Sequence, residues 1–185
     1  FALPIVMENK ADGFFVIEYK ERSDERFTES RLNFLKIITN ILGDTKQKVL
    51  YEEMIYDIAY FDESTKLANR NMLMKKLGQD INDIKDSEKI AVFNIELENL
   101  RMIKDGFGHN VVEQVMVKSA KMLENLLGNR SDIFRTSEGE FVVVLHGAKN
   151  IKQVEEHANR LLAVFSQPIA TDMETGALFV AARIG

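Results

Sequence analysis

The chain has 185 residues, 45% of them hydrophobic, with 24 Lys and Arg against 29 Asp and Glu. A net charge of −5 gives no reason to expect nucleic acid or an anionic membrane surface as a partner. The absence of cysteine excludes disulfides and thiolate metal sites and suits a reducing cytoplasm. No apolar run approaches the ~20 residues that span a bilayer, so no membrane segment is expected within these residues. The chain opens at Phe1 and stops at Gly185 directly after an apolar strand pattern, which is the look of an excerpt from a longer protein.

Residues 1–21 predict two strands, ALPIVM and FFVIEYKE, around a turn carried by Asn9 to Gly13. Two strands alone do not make a stable sheet, so this hairpin is expected to be the trailing edge of a domain. Arg22 to Arg26 is a charged loop. Thr28 or Ser30 then caps a helix whose apolar positions include Leu32, Leu35, Ile38, Ile41 and Leu42 and resume at Val49, Leu50, Met54, Ile55 and Ile58. Run continuously to Tyr60, that helix would be about 50 Å long, and its second half would serve as a connector. Two helices broken at Gly43 are the alternative. Heptad spacing puts Lys46 and Glu53 on the seam and leaves a homodimeric coiled coil open.

Phe61 to Arg70 is a polar boundary, with Asp62 or Ser64 as cap for a helix over Asn69–Ile84 that ends at Asp86-Ser87-Glu88. The stretch IAVFNIELE follows. It is an apolar strand from Ile90 that stops on Glu96 and Glu98. Such a strand buries its body and presents its acids at a sheet edge, where α/β proteins place ligands and divalent metals. The chain then turns through Gly106-Phe107-Gly108-His109 into a helix over about His109–Leu127. Strands at Ile133–Arg135 and Glu140–Leu145 flank the tight turn Ser137-Glu138-Gly139-Glu140. A helix over Ile151–Phe165 leads to a final hairpin, Pro168–Ile169 against Leu178–Ile184 across Glu174-Thr175-Gly176. Strand, helix, two strands, helix, strand is the split βαβ, ferredoxin-like order. The fold class is therefore α/β of the α+β kind: a palm-like βαββαβ sheet with helices on one face, preceded by a β-hairpin and a long connector helix. The methionines (Met72, Met74, Met102, Met116, Met122) read as core fillers.

Asp62 to Arg70 resembles the D-x-L-T-x-L-x-N-R opening of GGDEF domains, the diguanylate cyclase family. Glu96 to Glu113 is similar to that family's D-x-D-x-F-K-x-I-N-D-x-x-G-H-x-x-G-D block. Arg135 to Phe141 falls where the family has R-x-G-G-D-E-F, and Ala182-Arg183-Ile184-Gly185 resembles its A-S-I-G. Residues 1–42 are similar to the final hairpin and helix of a GAF sensory domain. The resemblance thus implies a GAF-like end over residues 1–42, a helical connector over 43–60 and a GGDEF domain over 61–185.

The family makes cyclic di-GMP from two GTP molecules held by two facing domains. Mg²⁺ ions on carboxylates assist the phosphoryl transfer. Carried over to this chain, the resemblance places metal ligation at Glu96 and the Leu97 carbonyl, guanine reading at Lys104 and Glu113, and phosphate contacts at Ser137 and Glu138. The catalytic acid position falls at Gly139, beside Glu140. The site departs from the pattern where its chemistry lies. Lys104 offers donors but no acceptor, and guanine's Watson–Crick edge needs both. Ser137 and Glu138 replace two glycines, and Gly139 replaces the acid. These departures imply a degenerate, catalytically inactive domain that binds GTP as an effector or dimerises, possibly upstream of an EAL phosphodiesterase domain. An active cyclase using Glu96, Glu138 and Glu140, with Glu138 supplied by a one-residue slip of the turn, is the alternative.

Overall fold

The structure, a computed structural model, describes residues 2–18, 29–84, 89–127, 131–172 and 176–185. The expected charged loop at Arg22–Arg26, the Thr28 cap, the helix end at Asp86–Glu88 and the turn residues Glu174 and Thr175 lie outside them. The chain divides into two compact units, Phe1–Asp57 and Ile58–Gly185.

In the first unit, β1 (Ala2–Met7) pairs antiparallel with β2 (Lys10–Val16). The turn is tighter than Asn9 to Gly13: Glu8 and Asn9 carry it with φ of 47° and 62°, and Gly13 lies inside β2 opposite Ile5. Two successive left-handed residues make the turn whose twist matches that of flanking strands. Helix α1 runs unbroken over Glu29–Tyr60. Gly43 does not break it, because one interior glycine costs only about 1 kcal/mol. Its smallness serves packing instead: a methyl group there would run into the Val6 carbonyl oxygen. Lys46 pairs with Asp12, and the Tyr51 hydroxyl donates to Glu8 at 2.9 Å, so the hairpin is tied to the helix at three levels.

The second unit is built on a five-stranded sheet ordered β3-β5-β6-β4-β9. Its strands are β3 (Ala68–Asn69), β4 (Ile90–Leu97), β5 (Ser131–Ser137), β6 (Glu140–His146) and β9 (Ala182–Ile184). Omitting the short β3, this is the expected ferredoxin-like arrangement, all antiparallel. Odd residues of β4 and β6 (Phe93, Ile95, Leu97; Phe141, Val143, Leu145) face one core with α4 (His109–Leu126) and α5 (Ile151–Val164). Even residues Val142 and Val144 face a smaller core with Phe134 and with Met72 and Leu73 of α2 (Arg70–Asp83). Helices therefore cover both faces, not one. The apolar run FVVVL is what a central strand buried on both sides requires.

Several boundaries differ from the sequence expectation. Helix α2 is capped by Asn69, whose side chain accepts from the Asn71 and Met72 amides at 2.9 and 3.2 Å. Asp62 instead accepts from the Thr65 amide and hydroxyl at 2.8 and 2.6 Å, closing a turn of its own. A separate helix, α3 (Leu100–Phe107), precedes α4 and is divided from it by Gly108 at φ 88°, ψ 167°. The final hairpin is split. β7 (Ile169–Ala170) pairs with β8 (Ala177–Leu178), while β9 leaves to join β4. Met72 and Met116 are buried, but Met74 and Met102 face solvent.

Gly43→Ala tests the hairpin–helix contact. The added methyl gains about 1 kcal/mol of helix propensity but meets a backbone atom that cannot rotate away, and overpacking costs about 1–3 kcal/mol. Amide exchange of β1 and β2 is expected to speed up in the variant; slower exchange would mean that the contact is not tight.

Candidate functional site

The acidic end of β4 meets the β5–β6 hairpin turn, because the Leu97 amide donates to the Gly139 carbonyl at 2.8 Å. The pairing register sets Glu96 opposite Glu140 on β6 and opposite Arg183 on β9. Directly opposed residues share a face, so Glu140, Glu96 and Arg183 form one row across three strands. They line a cavity of about 740 Å³ together with Glu98, Arg101 and Glu138. Four glutamates against two arginines leave that lining acidic. Leu97, between the acids, points its side chain into the main core and is 5% exposed.

Each carboxylate has a distinct surrounding. Glu140 accepts from the Thr136 hydroxyl at 2.7 Å. Glu98 accepts from Arg183 Nη2 at 2.8 Å and Nε at 3.1 Å. Glu138 sits at the turn tip, with Ser137 opposite Glu140. Its carboxylate takes the Lys104 ammonium at 2.6 Å and lies 3.6 Å from His109 Nδ1. The Lys104 hydrogen bond and charge hold the Glu138 carboxyl below its ordinary range. The two residues that depart most from the signature pattern, Lys104 and Glu138, therefore satisfy one another. Gly139 brings no carboxylate, and a Cβ there would stand 2.7 Å from Leu100 Cδ1.

A second cluster lies behind the hairpin. Arg135 has a side chain only 7% exposed. It donates from Nη2 and Nη1 to the two carboxylate oxygens of Glu113 at 2.9 and 3.0 Å. Its Nη1 also reaches Asp62 Oδ1 at 3.0 Å, and Ser64 donates to Glu113 at 2.6 Å. Arg135's hydrogen bond is the main reason that the Glu113 carboxyl lies below its ordinary range; burial opposes it and Ser64 adds to it. For Asp62, burial pushes upward most strongly, but Thr65 and Arg135 together outweigh it and lower the carboxyl. Lys104 and Glu113, paired as base readers by motif position, thus face different partners. Arg135, Ser64 and Arg183 were not among the predicted site residues. The signal for Arg135 was a lone arginine in a strand bound for the core, which needs acids beside it.

The profile of the diguanylate cyclase GGDEF domain matches residues 59–185.

The chain belongs to the GGDEF family.

The chain is 27% identical over 135 residues to the bifunctional diguanylate cyclase/cyclic di-GMP phosphodiesterase MucR of Pseudomonas aeruginosa, covering 72% of this chain and 19% of that protein. A sensory box/GGDEF family protein of Caulobacter crescentus superposes with a TM-score of 0.63 at 29% identity, over 69% of this chain and 81% of that one. The coiled coil and GGDEF domain of DgcB from the same organism, solved with c-di-GMP, gives 0.69 at 16% identity, over 85% of this chain and 80% of that one, a likeness of fold. The chain spans between about a sixth and a fifth of the length of the first curated relatives it matches.

GGDEF membership implies Mg²⁺ at the acidic edge, and the residues here fit that ion poorly. Among the described residues, no three His, Cys, Asp or Glu side chains gather where they could hold a metal ion. Hard divalent cations require several oxygen ligands converging on one point. Glu98 and Glu138 are turned to cations of the chain itself, and Gly139 has no ligand to give.

Replacing Arg135 by Met is expected to cost about 2–4 kcal/mol, since it strands partly buried acids. Asp62 and Glu113 have depressed folded-state values. Their contribution is therefore full above their unfolded values of about 3.9 and 4.3, and is lost as pH falls through the lower folded values. Denaturant melts of both proteins should differ most above about pH 5 and converge in acid; a gap independent of pH would contradict the ion-pair assignment.

Proposed function

We propose that residues 59–185 form a GGDEF domain without cyclase activity, which serves cyclic di-GMP signalling as a regulatory, dimerising module. The observation that carries this reading is the engagement of Glu138 with Lys104 beside a Gly139 that lacks a carboxylate. A GTP triphosphate entering there would meet a paired Glu138 side chain in place of a glycine cradle. The base-reading positions are occupied too: Lys104 is committed to Glu138, and Glu113 to Arg135. These pairs favour dimerisation over service as a GTP effector site. Cyclic di-GMP and GTP are accordingly ligands of partners or relatives rather than of this edge.

Helix α1 supports the dimerising role. Its exposed apolar residues Phe34, Ile37 and Ile41 recur at spacings of three and four, and Ile55 and Ile58 resume the spacing further on. This seam is not the one through Lys46 and Glu53, since Lys46 turns to Asp12. A parallel pair of such helices would bury the stripe. We read residues 1–42, with their hairpin and helix, as the GAF-like end that delivers a signal to the connector. Among the described residues, no helix is long and apolar enough to cross a membrane.

The test is cyclic di-GMP synthesis from GTP with Mg²⁺ or Mn²⁺. No product is expected, and none from Gly139→Asp alone, because Lys104 still holds Glu138 at the turn. Product from the unaltered protein would establish the active reading, with Glu96, Glu138 and Glu140 as ligands. For the dimer, sedimentation of Ile41→Asp with Ile55→Asp is expected to give monomer where the unaltered chain gives dimer; a monomeric unaltered chain would sink the α1 role.

A further inference from the structure

Arg183 is the one residue in the row Glu140, Glu96, Arg183 that the family pattern does not suggest, since A-S-I-G has a small neutral serine there. Its register position directly opposite Glu96 brings the two Cβ atoms to about 4.5–5.5 Å on one face. Its guanidinium donates from Nη2 and Nε to Glu98 Oε1 at 2.8 and 3.1 Å. The hydrogen bond and charge of Glu98, followed by the charge of Glu96, hold the guanidinium proton more firmly than usual. Other cations near the cavity are engaged away from these two acids. Lys104 is on Glu138, and Arg101 lies 4.0 Å from Asp105 on its own helix.

We propose that Arg183 is the resident cation of the acidic edge: tethered to β9, it neutralises Glu98 and Glu96 and keeps a divalent metal from settling between them. A guanidinium is always charged and cannot be exchanged into solvent, as a metal ion can. Its positive charge repels an arriving divalent ion at the same short range at which it attracts the carboxylates. Because the pair is solvent-exposed, the effect is screened by salt and belongs to low ionic strength. The proposal rests on the reading that this edge does not use divalent ions, and it assigns to Arg183 the part of the cause that lies at Glu96 and Glu98, beside the missing carboxylate at Gly139.

The experiment titrates Mn²⁺ into the 185-residue chain at low salt and follows paramagnetic broadening of the Glu96 and Leu97 amide signals. The unaltered chain is expected to broaden little. Arg183→Ser is expected to broaden at Mn²⁺ concentrations about tenfold lower or more. Arg183→Lys, which keeps a cation on β9, is expected to behave like the unaltered chain. Arg101→Ser, which removes a positive charge from the same cavity but not from Glu96 and Glu98, should also leave the titration unchanged. Equal broadening in Arg183→Ser and the unaltered chain would overturn the proposal, as would an equal gain in Arg101→Ser. Mn²⁺-dependent GTP turnover by the unaltered chain would sink the inactive reading itself. Absence of turnover with no gain in Arg183→Ser would sink only the role given to Arg183.

Discussion

Antiparallel pairing of β4 with β6 is the constraint from which the rest of the second unit follows. The register Ile95 to Phe141 and Glu96 to Glu140 sends every odd side chain of both strands to the α4/α5 core and every even one to the other face. A slip of one residue would turn Phe93, Ile95, Phe141 and Val143 out of that core. The same register brings the acids at the end of β4 to the hairpin tip and, through β9, to Arg183. The position of the site thus follows from burial of apolar residues several positions away.

Within that frame, the departures from the family pattern fall into matched pairs. Lys104 alone would place an unpaired ammonium, and Glu138 alone an unpaired carboxylate, at positions where the family pattern has a neutral residue. Together they neutralise each other at 2.6 Å. Glu113 keeps its carboxylate but has it held by both terminal nitrogens of Arg135. Arg183 and Glu98 repeat the arrangement on the far side. At Gly139 the nearest atom to an added Cβ is the Leu100 Cδ1 methyl at 2.7 Å, the end of a side chain that can rotate away. Changing Lys104 or Glu138 alone to the family residue would leave its opposite number without this partner.

Much of the sheet was legible in the residue pattern. The order of strands and helices from Ile90 follows from alternation and apolar runs, and the turn at Glu138-Gly139 from its composition. Ordered short motifs over residues 61–185 carry the resemblance to the family. What pattern could not give was set by contacts distant in sequence. The break at Gly43 stood only as the alternative to a continuous helix, and the packing reason for a glycine there, Val6, lies 37 positions earlier. Asp62 looked like a cap because Arg135 is 73 positions away. Helix α3 was hidden because Leu100–Phe107 is short and ends in two glycines. The turn at Glu8-Asn9 was misplaced because Gly13, the stronger local signal, lies within the strand. For the site, motif position named the right neighbourhood, and only geometry showed which side chains are already taken.

The central claim is that the acidic edge and the base-reading positions are satisfied within the chain and therefore take up no GTP with Mg²⁺. Calorimetry of GTP binding to the unaltered protein, with and without Mg²⁺, tests it most directly. The account predicts no Mg²⁺-dependent heat. Tight stoichiometric binding that requires Mg²⁺ would contradict it, because Glu113 would then have to leave the buried Arg135, and the exposed pairs Lys104–Glu138 and Arg183–Glu98 would have to open as well.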